Sequence, residues 1–188
     1  LHVIILPFRS RTSAHAYQQI WTKQGSPLLV NSQAFADKLQ QQLGQKYFVQ
    51  LGMCYGQPSI ESAIAHLLQE GVSTIKILPL FPQYASASTG AVLERSLAIL
   101  ARQPVIVPFE ILPAFYAHSG FINACFSVIA PVLKQEQPDL LLFSYHGLPV
   151  RHLTPVCQGA SCDMSAPCKS INTANKHCYR AQCYATSN

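Results

Sequence analysis

"STIKILPLFPQYASASTGAVLERSLAILARQPVIVPFEIL", residues 73–112, reads as one strand, one helix and a second strand. The stretch opens on a short apolar run (73–81) that stops at Phe81-Pro82. Small and hydroxyl-bearing residues follow, and a helix opens at Thr89 or Gly90. Its apolar residues then return at helical spacing, Val92/Leu93, Leu97 and Leu100, and the pattern ends before Pro104. A second apolar run (104–112) closes the unit. Two strands joined by a helical crossover lie parallel in one sheet. The alternation continues on both sides. Runs 47–55 ("YFVQLGMCY") and 139–146 ("DLLLFSYH") read as further strands, all four buried on both faces.

Between the strands lie further helical periods. "PSIESAIAHLLQEG" carries Ile60, Ile64 and Leu67/Leu68 on one face, with Pro58 early and Gly71 at its stop. Residues 119–137 fill the last gap, with Pro131 predicting a kink. Upstream, residues 34–43 align Phe35, Leu39 and Leu43 behind Asn31 or Ser32 as cap. The fold class is therefore α/β, an open parallel sheet whose ligands belong beyond the carboxyl ends of its strands.

Composition narrows the function. With 188 residues, 49% apolar and 11% charged, the chain has core enough for one or two domains and is too apolar for disorder. The 13 basic residues outnumber 8 acidic ones without forming a block, so no nucleic-acid arm is predicted. No apolar run reaches the length of a membrane span. No signal peptide is read, although the chain begins at Leu1 rather than Met; the expected compartment is cytoplasmic.

Two strand exits carry chemistry. His146 follows the last apolar residues of run 139–146, and Gly147 gives the backbone room to turn beside the imidazole. Such a histidine either caps a strand end or serves as metal ligand or proton acceptor. The loop after Phe81 leaves backbone N–H groups free for an anion, or is an ordinary capped connection. Tyr84 presents an aromatic face at the same sheet edge, or packs in the core. No glycine fingerprint for a nucleotide is present.

"LPLFPQYASASTG" (78–90) together with "FSYHGLP" (143–149) resembles the signature segments of the ferrochelatase family. "ILPFRS" and "AYQQIWTKQGSPLLVNSQ", containing Gly25 to Leu28, "GMCYGQPSIESAI" and "RAQCYATS" resemble further family segments in the same order. The resemblance implies Rossmann-like lobes, each an open parallel sheet with helices on both faces, and porphyrin held between two of them. It implies insertion of ferrous iron into protoporphyrin IX, giving protohaem without an organic cofactor. His146 matches the family's metal-site histidine, and the sequence leaves iron coordination and proton acceptance both open. Tyr84, Ser86, Ser88 and Thr89 match the porphyrin-proximal loop, and Tyr55 matches a tyrosine of the cleft wall. On this resemblance residues 1–150 form a chelatase lobe lacking its first strand. Residues 151–188 form a Cys-rich insertion and the start of the link to a second lobe. A chain so cut is expected to be inactive alone.

Five of the seven cysteines lie within 27 residues: Cys157, Cys162, Cys168, Cys178 and Cys183. The intervening residues are polar, so this loop needs a cross-link to stay ordered. Nothing favours export, and cysteine clusters inside cells bind metal more often than they form disulfides. Spacings of four, five, nine and four residues do not match a zinc ribbon. Some ferrochelatases carry a [2Fe-2S] cluster, which four thiolates suit. Cys157, Cys162, Cys168 and Cys178 are the favoured set, with Cys183 as substitute. Zinc, with His152 or His177 as ligands, and reduced thiols are the alternatives. Cys54 and Cys125 read as packing residues.

His118 reads as structural or cleft-lining. Tyr17, Ile20 and Trp21 form core or an apolar lip, and a lip would let the protein rest on a membrane surface. Two rival functions stay open: a chelatase for another tetrapyrrole, and a non-enzymatic iron–sulfur or metal-binding module of Rossmann-like fold.

Overall fold

The computed structural model describes residues 14–15, 17–153, 156, 166, 168 and 170–188. The chain divides between Val72 and Ser73 into two compact units.

In the first unit, Thr22 and Gly25 exchange backbone hydrogen bonds of 3.0 and 3.1 Å across a tight turn. Gly25 has φ +117°, a value open to glycine and strained for other residues. Ser26 and Pro27 then start helix α1 (Pro27–Leu43), earlier than Asn31 or Ser32. Proline at the first helical position supplies the required φ and lacks an N–H that would go unpaired there, so it sets the start. Gln40 ties off the far end. Its amide donates to the Gly44 and Tyr47 carbonyls, and its Oε1 accepts the Val49 N–H at 2.8 Å. Helix α2 (Ile60–Gln69) is capped by Ser59, whose Oγ accepts the Ser62 N–H at 3.0 Å. It buries Ile60, Ala63 and Ile64. A Cβ at Gly52 would lie 3.0 Å from the Ile60 backbone, so glycine permits the preceding segment to touch α2. Run 47–55 forms no strand; its sole ladder contact is a parallel bridge from Met53 to Ser59.

The second unit contains the sheet. Strand β1 (Ile75–Ile77) pairs in parallel with β2 (Phe109–Ile111), Ile75 opposite Phe109 and Ile77 opposite Ile111. Lys76 and Glu110 form an exposed ion pair across the ladder. Helix α3 (Ala91–Leu100) joins the strands, so residues 73–112 make the strand–helix–strand unit expected of an α/β fold. Ile75 and Leu100 are buried to 3% and 2% exposure. Ser96, equally enclosed, meets its hydrogen-bonding need by donating to the Val92 carbonyl at 2.8 Å.

The expectations for the strands change further. The strands are shorter than the apolar runs and only partly buried: β2 has no buried residue. Run 139–146 is not a strand, and Leu140 and Leu142 are each 81% exposed. A strand needs a neighbour for its backbone groups, and the side chains and backbone at the end of this run engage a helix instead. The helix expected over 119–137 forms as α4 (Ser119–Glu136), with Pro131 inside it and Gln137 in the left-handed region at its end. Helix α5 (Tyr179–Ser187) is the last element.

Candidate active site

Helix α5 organises the loops of the second unit. Ala181, Gln182 and Cys183 are buried, and the residues one turn to either side reach three separate segments. Gln182 Oε1 accepts the Tyr84 backbone N–H at 2.6 Å, while its Nε2 donates to the Lys176 carbonyl at 2.7 Å. Thr186 Oγ1 accepts from Gln83 Nε2 at 2.9 Å and lies 2.9 Å from the Tyr116 carbonyl. The Tyr145 hydroxyl and Ser187 Oγ are 2.7 Å apart. The Tyr179 hydroxyl is hydrogen-bonded to the His146 backbone and to the Cys183 side chain. Residues 179, 182, 183 and 186 share one face of a helix. This face ties the backbone around Tyr84 to the backbone at His146.

Burial pushes the Tyr179 phenol up to about 12, with the Cys183 side chain adding to the effect and the His146 backbone opposing it. Burial likewise raises the Cys183 thiol. Both groups hold their protons at neutral pH, which lets the Tyr179 hydroxyl keep its hydrogen bonds without charge.

Beyond Tyr84 the chain enters a π-helical turn (Ser86–Gly90), closed by the Gly90 N–H on the Ala85 carbonyl at 3.0 Å. Such wide turns recur at functional sites because they re-aim side chains between two helical registers. Ser86 is exposed and Ser88 half-buried. Thr89 is 5% exposed, and its hydroxyl has no hydrogen-bond partner among the described residues. The Tyr84 hydroxyl lies over Gly90, 3.4 Å from where a Cβ would stand.

Of the residues singled out from sequence, Tyr84, Ser86, Ser88, Thr89 and His146 all lie in the second unit. Only Tyr84 and His146 have their backbones bonded to α5. His146 is exposed. Tyr55 belongs to the first unit and is 87% exposed. His118 is the cap of α4, its Nδ1 accepting the Gly120 N–H at 3.1 Å. Sequence reading passed over Tyr179, Gln182 and Thr186. Their signal was available as polar residues three and four apart along one face of a short helix.

Cys157 and Cys162 lie outside the described residues. Cys178 is 1% exposed in an apolar cluster with Leu153 and Ala181, and Cys168, Val156 and Ile171 pack against it. Arg180 Nη1 reaches Cys168 Sγ at 3.6 Å, and Nη2 donates to the Ala166 carbonyl. No group of three or more metal-ligating side chains gathers among the described residues. His152 Nδ1 is buried and has no hydrogen-bond partner among them.

An open parallel α/β unit whose Tyr84 loop follows its first strand is a ligand-binding architecture. The chain belongs to the ferrochelatase family, whose model, "Ferrochelatase", matches residues 1–188. It is 46% identical over 189 residues to the "Ferrochelatase" of Legionella pneumophila (strain Paris), covering 100% of this chain and 55% of that protein. It is 42% identical over 188 residues to the "Ferrochelatase" of Coxiella burnetii (strain RSA 493 / Nine Mile phase I), covering 100% of this chain and 52% of that protein. The chain thus spans about half the length of these curated relatives. No solved structure matches it.

Proposed function

We propose that this chain supplies one wall of a ferrochelatase active site, in an enzyme (a lyase) that inserts ferrous iron into protoporphyrin IX to make protohaem. The observation that carries the reading is the shared tether: α5 bonds the backbones of both Tyr84 and His146, in a chain matched along its whole length by the ferrochelatase family model.

Metalation must remove two pyrrole protons and hand a partly dehydrated cation to the macrocycle. An exposed imidazole on an anchored backbone suits either task, since a neutral ring nitrogen can coordinate iron or accept a proton. Tyr84 offers an aromatic surface for the macrocycle. Ser86 and Ser88 supply hydroxyls along the π-helical turn, and Thr89 lies buried within it. One wall positions only one side of a reacting macrocycle, so the chain by itself is expected to turn over no substrate.

The cysteine segment is proposed to hold a [2Fe-2S] cluster on Cys157, Cys162, Cys168 and Cys178, with Cys183 able to substitute. What supports this is the dry surrounding of Cys178 and the guanidinium near Cys168, suited to an anionic iron–thiolate centre. Bound there, the cluster would staple the segment and take no part in metal insertion. Zinc is the second reading, favoured by the buried His152 Nδ1, which has no hydrogen-bond partner among the described residues. Tyr17, Ile20, Trp21 and Leu28 are at least half exposed and are proposed to rest on a membrane surface from the cytoplasmic side. No described helix is long and apolar enough to cross a membrane.

The test is a chimera in which this chain replaces the matching region of the Legionella relative. It should form haem from protoporphyrin and ferrous iron, and His146→Ala should lower turnover by roughly 10²-fold or more while porphyrin still binds. Near-normal turnover by that variant would overturn the assignment of His146. An inert chimera that binds no porphyrin would overturn the function.

A further inference from the structure

Gln182 is a polar side chain buried to 2% exposure with both of its hydrogen-bonding ends occupied. Oε1 holds the Tyr84 N–H and Nε2 holds the Lys176 carbonyl. A carboxamide is the side-chain group that accepts at one end and donates at the other without charge. Tyr84 needs such a partner because β1 has ended at Ile77, leaving its N–H no strand to pair with. Thr186 repeats the contact one turn later, on Gln83. The tyrosine ring reaches forward from this fixed backbone to Gly90 at the head of α3. A shift of the backbone would therefore move the ring relative to the π-helical turn.

We propose that Gln182 is a positioning residue for the porphyrin site, setting Tyr84 through its backbone and tying that setting to the end of the Cys-rich segment at Lys176. The inference rests on the reading that Tyr84 meets the macrocycle. Nothing in the sequence motifs around Tyr84 or His146 points to Gln182, which lies 98 residues from the group it holds. Its effect is confined to binding geometry, because it touches no reacting atom.

The experiment is a titration of protoporphyrin fluorescence with the full chain, well below its melting temperature. Gln182→Met keeps the size of the side chain and removes both hydrogen bonds. Leaving the Tyr84 N–H unpaired should weaken porphyrin binding about tenfold. Gln182→Glu retains the acceptor for Tyr84 and should recover part of the loss. In the Legionella chimera the same Met variant should raise the KM for porphyrin and leave kcat nearly unchanged. A residue serving stability alone would lower the melting temperature and leave binding intact. Where Gln182→Met fails to fold, Gln83→Ala decides, since it loosens the same loop from the half-buried Thr186 and should weaken binding in the same direction. Unchanged binding in the folded variant, Gln182→Met or Gln83→Ala, overturns the inference and leaves the function standing. No binding by the wild-type chain or by the chimera overturns both.

Discussion

Tyr179→Phe removes a single oxygen and tests how α5 holds His146. The ring stays in the apolar cluster, and the hydrogen bonds to the His146 backbone and Cys183 are lost. At a half-buried position these bonds together contribute roughly 1–2 kcal/mol. For a chain of this length that lowers the melting temperature by about 4 °C. The dependence on pH is more diagnostic. Tyr179 is raised from its ordinary value of 10.0 to about 12, so the folded state binds its proton more tightly than the unfolded state. Its contribution is complete below pH 10 and is lost as pH rises from 10 to about 12. The gap between wild type and Tyr179→Phe should therefore be constant up to pH 10 and narrow above it. Cys183, also raised, weakens both proteins in the same direction above its ordinary 9.0. Thermal melts from pH 7 to 12, with parallel ultraviolet titration of the tyrosines, measure this. In the chimera the variant should lose turnover while retaining porphyrin. A stability gap that is absent at neutral pH, or that persists unchanged to pH 12, would refute the tether.

Two further outcomes follow from burial and from the cysteine segment. Leu100→Ala, emptying a site that is 2% exposed beneath the strand–helix–strand unit, should cost about 3 kcal/mol in urea unfolding; a cost near zero would mean that the residue is not core. Protein purified without oxygen should contain iron and acid-labile sulfide in equal amounts, and Cys178→Ser should remove both. Stoichiometric zinc without sulfide would instead select the zinc reading.

The strand–helix–strand order of residues 73–112 was legible because its two punctuating elements are strong: Phe81-Pro82 ends one run and Pro104 separates the helix from the next. Helix α2 was equally plain, from its apolar face and the Gly71 stop. The strand lengths were not legible. An apolar run such as 139–146 records hydrophobicity, whereas a strand is defined by hydrogen bonds to a neighbour that no local pattern specifies. The motifs found the loops bearing Tyr84 and His146. What holds them could not be found that way, since Gln182 and Thr186 act on residues far away in sequence, and their spacing marks only one face of a helix.

The tether on α5 also fixes when the site can exist. Gln182 lies 98 residues beyond Tyr84, and Thr186 lies 70 beyond Tyr116. Ser187 lies 42 beyond Tyr145. At a synthesis rate of about 5–20 residues per second, the Tyr84 loop waits roughly 5–20 s on the ribosome before its partner emerges. Closing the longest of these loops costs only about 0.8 kcal/mol more entropy than closing the shortest, so distance along the chain sets a delay more than a barrier. A nascent chain consequently lacks these contacts to the Tyr84 and Tyr145 segments until α5 has been made.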